Sequence, residues 1–387
     1  MSARTLGLLA FLYFCHFFRH GMVLPLVPLY AVEMGASSAL VGIIVSGFHF
    51  LALCLALYVG RLADKIPIRT MLLLAALGNI AYSLLLFRAQ DPLGLFAAQL
   101  VGGLGFLLLI VSSQAAISQI SSQQQRERGF GLLSFAAALG QGSGPVIGGW
   151  LVSLVGYPQV FALAGGVALT GLAAWAIKPD TSVAAKSPAQ WREAGVLLQD
   201  SRFVGVLAFT LSIIFAVSLR GSFLPLLLRE KGFSPELIGG ALSLFAVAMT
   251  VIRLGVGRLM GRSSRALLVA LALGLVTIPV GLLPFLHHQW SVGAALVVFG
   301  LGFGISQPLS LVMVADLASK EASGLAMGLR FTTITAGTFS SPLILGAVAE
   351  LAGVPAAFAV PTCILALTGV VLWWGWRRRA LAQQGGG

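Results

Sequence analysis

Long apolar runs separated by short polar turns dominate the hydrophobic pattern of this 387-residue chain. A hydrocarbon core of roughly 30 Å requires about 20 consecutive apolar residues in a helix that crosses it. The sequence contains twelve such runs, at about 6–32, 38–60, 70–87, 92–117, 129–153, 157–177, 203–228, 235–260, 266–286, 290–317, 324–350 and 355–376. We therefore expect an all-α integral membrane protein with twelve transmembrane helices and no soluble domain.

The second half of the chain repeats the first at a constant offset of 197 residues, so that 28–162 correspond to 225–359 without a gap. Pro28, Gly103 and Pro145, for example, fall on Pro225, Gly300 and Pro342. A repeat of this length in a membrane protein indicates a transporter built from two similar halves. We predict an N-terminal six-helix bundle at 1–177, a cytoplasmic linker at 178–202, a C-terminal six-helix bundle at 203–376 and a basic cytoplasmic tail at 377–387.

The net charge of +12 would suit a nucleic-acid-binding protein, but the positions of the charges indicate a membrane topology instead. With the N-terminus inside, seventeen of the 24 Lys and Arg residues lie at cytoplasmic positions. This bias follows the positive-inside rule and predicts that both termini are cytoplasmic. The three cysteines all lie within apolar runs, so no disulfide framework is expected.

Basic side chains occur inside the apolar runs, whereas no acidic side chain lies deep in one. His16, Arg19 and His20 have the spacing that places them on one helical face. An Arg at the bilayer centre costs about 2.5–3.5 kcal/mol, so this face should turn to a bundle interior or a water-filled cavity. Arg220, Arg253 and Arg330 lie in later runs.

A positively charged cavity would bind an anionic or zwitterionic molecule with an apolar portion, because the guanidinium fork suits carboxylates and phosphates. The candidate substrate-binding residues are His16, Arg19, His20, Gln99, Gln114, Arg220, Gln307 and Arg330. The alternative is that the arginines are structural, with Arg253 and Arg330 reaching the cytoplasmic interface or helix-end carbonyls.

The candidates for proton coupling are His16, His20 and Asp64. Histidine titrates near neutrality, and with no deep carboxylate the histidines are the ionisable groups available inside the membrane. Arg19 disfavours the charged form of its two neighbours, so a role as neutral hydrogen-bonding groups stays equally open. His49 is more easily explained as a packed core residue.

Two glycine-containing motifs carry a family resemblance. Gly60-x-Leu62-Ala63-Asp64-Lys65-x3-Arg69 resembles the signature loop of the major facilitator superfamily, with Pro67 where that loop usually has Gly. Gly131-x8-Gly140-x3-Gly144-Pro145-x2-Gly148-Gly149 is similar to a motif in the fifth helix of the proton-linked drug exporters of that superfamily. Gln99 stands where many of these exporters have an Arg.

The resemblance implies two six-helix bundles that rock between inward-open and outward-open states. It also implies that Asp64 latches the cytoplasmic side near the N-terminus of the eleventh span, where a helix N-terminus attracts an anion. The alternative is a surface pairing of Asp64 with Lys65, Arg69 or Arg128, worth at most about 1 kcal/mol. The candidate gating residues are Gly60, Asp64, Arg69, Arg128, Gly140, Gly144, Pro145, Gly148, Gly149, Arg253, Gly257 and Pro342.

These features together favour a secondary active transporter that exports a small amphipathic molecule by proton antiport, as a monomer in the cytoplasmic membrane of a bacterium. Uptake or facilitated passage of an organic anion, and broad multidrug efflux of lipophilic compounds, are the alternatives. The chain has no His-Glu-x-x-His site and no phosphate-binding Lys motif, so we expect neither an enzyme nor an ATP-driven pump, and no cofactor or metal.

Overall fold

Helices make up the fold of the computed structural model, which describes residues 3–63, 65–118, 120, 122–177, 197–319 and 322–384. In the first half the helices are α1 (Ala3–Val23), α2 (Leu26–Glu33), α3 (Ser38–Ala63), α4 (Ile68–Arg88), α5 (Pro92–Ser118), α6 (Gln123–Val155) and α7 (Tyr157–Leu169). In the second half they are α8 (Ser201–Ser218), α9 (Phe223–Glu230), α10 (Pro235–Arg262), α11 (Arg265–Leu282), α12 (Gln289–Leu317), α13 (Ser323–Ala352), α14 (Val354–Ala357) and α15 (Ala359–Gln384).

Twelve segments of the described chain are long and apolar enough to cross a membrane, which confirms the predicted number of spans. The first span consists of α1 and α2 and is interrupted at Leu24 and Pro25. The sixth continues from α7 as a 3₁₀ helix, Thr170–Ala176, and α8 continues as the 3₁₀ turn Leu219–Gly221. The protein is therefore an all-α, multi-pass membrane protein.

The helix boundaries reproduce the sequence repeat. α2 begins at Leu26 and α9 at Phe223, and α3 begins at Ser38 and α10 at Pro235, each pair 197 residues apart. The left-handed glycines that end helices repeat as well, with φ of 82° at Gly35 and 81° at Gly232. The duplication in the sequence is thus a duplication of local structure.

The Cα positions group into two compact units. The first comprises Met1–Lys186, Arg220–Ser243 and Pro342–Glu350, and the second comprises Ser187–Leu219, Leu244–Ser341 and Leu351–Gly387. The division into bundles at 1–177 and 203–376 stays a prediction.

Close backbone contacts at glycines hold the helices of the first unit together. A methyl group added at Gly140 of α6 would lie 2.5 Å from the backbone nitrogen of Phe18 in α1, and one at Gly148 would lie 2.6 Å from the carbonyl oxygen of Met22. Gly144, between them, would overlap the carbonyl oxygen of Phe18. The glycines of the fifth-span motif therefore let two helix backbones touch, as small residues do in membrane helix pairs.

The same unit contains a reciprocal contact between the two repeats. A methyl group at Gly42 would overlap the carbonyl oxygen of Pro342, and one at Gly239 would overlap that of Pro145. Because Gly239 and Pro342 are the repeat equivalents of Gly42 and Pro145, the two contacts exchange roles in the manner of a twofold axis. They lie toward the membrane face that the positive-inside rule predicts to be external.

Ionic and polar contacts reinforce this end of the first unit. Arg229 in α9 donates to the carboxylate of Glu33 and to the carbonyl oxygen of Leu29, both at 3.0 Å. Glu350 in α13 accepts from the backbone N–H of Ala39 at the start of α3, at 3.1 Å. The predicted external end is therefore closed by packed glycines and by polar contacts within this unit.

The glycine contacts lead to a prediction with a matched control in the neighbouring residue. Gly239→Ala should lower the thermal unfolding midpoint of the purified protein, because overpacking against a fixed carbonyl costs about 1–3 kcal/mol. Gly240→Ala should leave it unchanged or raise it, since no heavy atom lies within 4 Å of that site and a helix gains about 1 kcal/mol from this change. Equal midpoints for the two variants would contradict the packing described here.

Candidate functional site

Arg19 lies at the centre of a polar network inside the first unit. Its side chain is fully buried, with an exposed fraction of 0%. Its Nη2 donates to Asn79 Oδ1 in α4 at 2.6 Å, and its Cζ lies 5.1 Å from the centre of the Tyr82 ring. Among the described residues, Nε and Nη1 have no hydrogen-bond partner, and none of the ion pairs includes Arg19. The guanidinium is therefore held by an amide and an aromatic face, two neutral groups.

The partners of Arg19 are themselves fixed by hydrogen bonds on α4. Asn79 Nδ2 donates to the carbonyl oxygen of Ala75 at 2.8 Å, which turns the amide oxygen toward Arg19. Tyr82 donates its hydroxyl to Gln99 Oε1 in α5 at 2.7 Å. A methyl group at Gly105 of α5 would lie 3.1 Å from the backbone nitrogen of Asn79, so this glycine brings the two helices together. The network thus joins α1, α4 and α5.

Histidine and aromatic rings form a second layer beside Arg19. The rings of His16 and His20 lie parallel, with centroids 6.4 Å apart, and each is 5.2 Å from the ring of Phe106. Phe48 in α3 lies 5.1 Å from His20 and 6.0 Å from Tyr82. His16 is 6% exposed and its Nε2 has no partner among the described residues. His20 is partly exposed, so it is the more accessible of the two.

Two small cavities flank this network. One of about 30 Å³ is lined by His16, Arg19, Asn79 and Thr170, and one of about 10 Å³ is lined by His20, His49, Tyr82 and Gln99. A single water needs roughly 10–15 Å³ of such volume, so the space beside Arg19 is sized for water and not for an amphipathic molecule. In this conformation the cavity beside Arg19 leaves no room for direct contact with such a molecule.

The remaining candidate binding residues are distributed over both units. Arg220 lies in the 3₁₀ turn Leu219–Gly221 of the first unit, and Gly221 after it lines the cavity that contains His20. Gln114 is exposed near the end of α5. In the second unit, Arg330 donates to Ser310 Oγ at 2.9 Å and to the carbonyl oxygen and Oε1 of Gln307 at 3.2 and 3.0 Å. This geometry gives Arg330 and Gln307 a role in packing α13 against α12.

The candidate gating residues fall into three groups. Gly140, Gly144, Pro145, Gly148, Gly149 and Pro342 belong to the close helix contacts, and Gly149 would overlap the carbonyl oxygen of Pro235. The guanidinium of Arg69 lies 3.4 Å above the ring of Trp175, and the guanidinium of Arg253 lies 6.0 Å from the Phe303 ring. Arg128 is exposed. Methyl groups at Gly60 and Gly257 would meet nothing within 4 Å. Asp64 lies outside the described residues, so its predicted latch stays a prediction.

The acidic side chains that the structure describes lie at or near helix ends, as expected. Examples are Glu33 at the end of α2, Asp91 before α5 and Asp316 near the end of α12. Within the described ranges no group of three or more His, Cys, Asp or Glu side chains is arranged to hold a metal ion.

The sequence interpretation missed the aromatic and amide partners of Arg19. These are Asn79 and Tyr82. It also missed Phe106 and Phe48, which lie beside His16 and His20. A signal was present, because Asn79, Tyr82 and Ser83 are polar residues at helical spacing inside an otherwise apolar run. Polar residues in a membrane-spanning helix usually face its partners.

Two curated proteins resemble this chain over most of their length. The quinolone resistance protein NorA of Staphylococcus aureus (strain COL) is 25% identical over 358 residues, which cover 90% of each chain. The multidrug resistance protein MdtG of Serratia proteamaculans (strain 568) is 26% identical over 379 residues, which cover 92% of this chain and 90% of that protein.

Solved structures share the fold at lower identity. The nucleoside transporter NupG superposes with a TM-score of 0.82 at 14% identity, covering 95% of this chain and 98% of NupG. A bacterial homologue of the human lysosomal transporter Spinster, captured inward-facing and unoccupied, superposes with a TM-score of 0.76 at 12% identity and covers 96% of both chains.

The family description "Major Facilitator Superfamily" matches residues 9–334 and, in a second segment, 294–386. The relatives at 24–26% identity are resistance proteins, and the structural neighbours are transporters, not enzymes. Because the match extends over nearly the whole chain, the protein belongs to the Major Facilitator Superfamily of membrane transporters.

Proposed function

We propose that this transporter exports small amphipathic molecules that carry a negative charge, anionic or zwitterionic, in exchange for protons. The observation that carries the proposal is the fully buried Arg19, which is held by neutral groups beside a layer of histidine and aromatic rings. Export is supported by the relatives, whose names are a quinolone resistance protein and a multidrug resistance protein.

The charge preference follows from electrostatics in a medium of low polarity. A unit charge that is shielded from water acts over several ångströms, because the effective dielectric constant there is far below that of water. Arg19 precedes His20 in α1, and Gly221, next to Arg220, lines the same cavity as His20. The described acidic residues lie toward helix ends, so the field around His20 and Gln99 is positive. The binding free energy of an anionic group is therefore more favourable at this position, and that of a cationic group is less favourable.

The apolar part of the substrate would contact the rings of Phe48 and Phe106 beside His20. Aromatic rings provide a large apolar surface and accept flat, conjugated molecules by stacking. A quinolone combines such a ring system with a carboxylate and is a suitable probe for this protein. In this proposal Gln99 contacts the substrate and Tyr82 fixes the orientation of its amide through the 2.7 Å hydrogen bond.

His20 is our candidate for the group that carries the coupling proton, with His16 behind it. His20 is partly exposed, whereas His16 is buried. Arg19 favours the neutral form of both rings by charge repulsion. Exchange requires that substrate and proton bind in turn, so in this proposal the substrate occupies the site while His20 is neutral and leaves when His20 takes up the proton, which is a negative coupling between the two ligands.

In this proposal the transport cycle is alternating access. The contacts at Gly42 and Gly239 described above separate when the external side opens. Asp64 would latch the opposite side near the start of α13, and Arg69 and Arg128 are its nearest candidate partners in the sequence. We further propose that the protein acts as a monomer in a bacterial cytoplasmic membrane with both termini inside.

Broad multidrug efflux of lipophilic compounds is the second candidate function. The names of the relatives favour it, and so do the aromatic rings around His20, which would accept many flat molecules. The two candidates differ in what the charge of a compound does to its affinity.

The role of Arg19 is tested by a pair of Arg→Met variants. Arg19→Met should keep or raise the thermal unfolding midpoint, because removing a buried charge that has no counter-ion relieves a desolvation cost larger than the loss of its one hydrogen bond to Asn79. It should also abolish ciprofloxacin export from proteoliposomes. Arg330→Met should lower the midpoint, because Arg330 donates to Ser310 and Gln307 and the partner groups lose those bonds. A loss of stability in Arg19→Met that matches its loss of export would show that Arg19 is structural.

Proton coupling is tested with His20→Gln and His287→Gln in proteoliposomes that contain a pH-sensitive dye. We expect His20→Gln to lose ciprofloxacin accumulation driven by a pH gradient while it retains exchange of labelled for unlabelled compound. His287→Gln should retain both activities, since His287 is exposed in the turn before α12. Gradient-driven accumulation at the wild-type rate in both His20→Gln and His16→Gln would contradict the assignment.

The charge preference is tested by thermal stabilisation with ciprofloxacin and with its methyl ester, which lacks the carboxylate. The acid should raise the unfolding midpoint and the ester should not. Asn79→Asp places a carboxylate beside the Arg19 guanidinium and should weaken binding of the acid about tenfold, equivalent to about 1.4 kcal/mol. Gln124→Glu adds the same charge at an exposed position of α6 and should not. Stronger stabilisation by the ester would favour the cationic-drug alternative.

A further inference from the structure

A cavity in the second unit shares no lining residue with the cavities of the Arg19 network. It has a volume of about 590 Å³ and is bounded by α8, α11, α12 and α15. We call it the α8–α15 cleft. Its volume is within the range of about 300–1,000 Å³ that is typical of small-molecule and cofactor sites.

One end of the α8–α15 cleft carries charged groups of both signs. Arg202, Arg265 and Asp316 line it there, and Arg202 pairs with Asp200 at 2.8 Å. Arg265 pairs with Asp316 at 3.3 Å, which is long for a charge-assisted hydrogen bond. Each of these four side chains is 29–58% exposed, and exposed ion pairs contribute only about 0–1 kcal/mol. A charged ligand can therefore insert between the partners at little cost.

The rest of the cleft is apolar and open along one side. Val206, Phe209 and Val269 form a buried floor with exposed fractions of 1–3%. Val204, Leu367 and Val371 also line it and are 41%, 65% and 57% exposed, as residues that face lipid are in a membrane protein. From Leu367 to Gly375 the cleft follows α15 for eight residues, about 12 Å at 1.5 Å per residue. This is most of the thickness of one leaflet's hydrocarbon layer, about 15 Å.

The charged end of the cleft coincides with the membrane interface. Ser201, Arg265, Leu317 and Gly375 are terminal residues of four candidate spans, and all four line the cleft. Trp373 lies beside it and carries Arg377 at 5.2 Å from its ring centre. Trp and Arg in this position are typical of the headgroup level of a bilayer. By the positive-inside rule this is the cytoplasmic face.

We propose that the α8–α15 cleft binds one phospholipid of the cytoplasmic leaflet that has a primary-ammonium headgroup. An acyl chain lies along Val204, Leu367 and Val371, the phosphate pairs with Arg202 or Arg265, and the ammonium donates to Asp200 or Asp316. The headgroup assignment follows from complementarity, because two guanidinium groups and two carboxylates match a zwitterion. A quaternary choline has no N–H to donate, and an anionic headgroup would leave both carboxylates facing like charge.

The experiment is native mass spectrometry of the full-length protein after incubation in bilayers with equal amounts of phosphatidylethanolamine, phosphatidylcholine and phosphatidylglycerol. The wild type should retain one phosphatidylethanolamine, at least about tenfold more often than either other lipid. Gly375→Trp should abolish this retention, because a side chain there enters open space in the cleft. Gly274→Trp in α11 is the control, since that glycine also has no neighbour within 4 Å but does not line the cleft, and it should retain the lipid.

A second variant tests the headgroup without altering the apolar walls. The double substitution Arg265→Gln and Asp316→Asn changes two exposed side chains and should reduce the selectivity for phosphatidylethanolamine about tenfold. Retention of the three lipids in equal amounts by the wild type, preference for phosphatidylglycerol, or wild-type retention by Gly375→Trp would each overturn the proposal. The result does not depend on whether the protein exports quinolones, because no transport is measured.

Discussion

A guanidinium that is fully buried among membrane-spanning helices constrains the rest of the first unit. Arg19 has an exposed fraction of 0%, and a charge at the centre of a bilayer costs about 2.5–3.5 kcal/mol even on insertion scales. The described structure meets this cost with an amide oxygen and an aromatic face. Neither group neutralises the charge, so the field of Arg19 extends to the histidine and aromatic layer beside it, where we propose that it selects the ligand.

The network around Arg19 depends on glycines that let helices approach closely. Asn79 reaches Arg19 because Gly105 allows α5 to touch α4, and α1 is fixed by the contacts of Gly140 and Gly144 with Phe18. One close contact of this kind occurs in both repeats. A methyl group at Gly103 would overlap the carbonyl oxygen of Phe48, and one at the equivalent Gly300 would overlap that of Phe245. The two halves therefore share the packing, whereas Arg19 has no charged counterpart in the second half, where Ala216 is its repeat equivalent. The two repeats therefore have the same helix packing and differ in the charged residues inside it.

Most of the fold could be predicted from the sequence, because spans in a membrane must be long and apolar and their glycines and prolines recur at a fixed offset. The placement of Arg19 in the interior could also be predicted, because a charged side chain is costly in contact with lipid. Its partners were not predicted. The run 70–87 is mostly apolar, and the rotation of this helix about its own axis is set by its packing against other helices. The roles of Arg19 and Arg330 diverged for a similar reason. Both are arginines in spans, but Arg330 donates hydrogen bonds to Gln307 and Ser310 on a neighbouring helix.

The central claim is that a positive field set by a buried guanidinium selects the substrate. The most direct test is an experimental structure of the protein with bound ciprofloxacin. We expect the carboxylate beside His20 and Gln99 and the ring system against Phe48. Density for the compound away from this group, or with its ammonium turned toward His20, would contradict it.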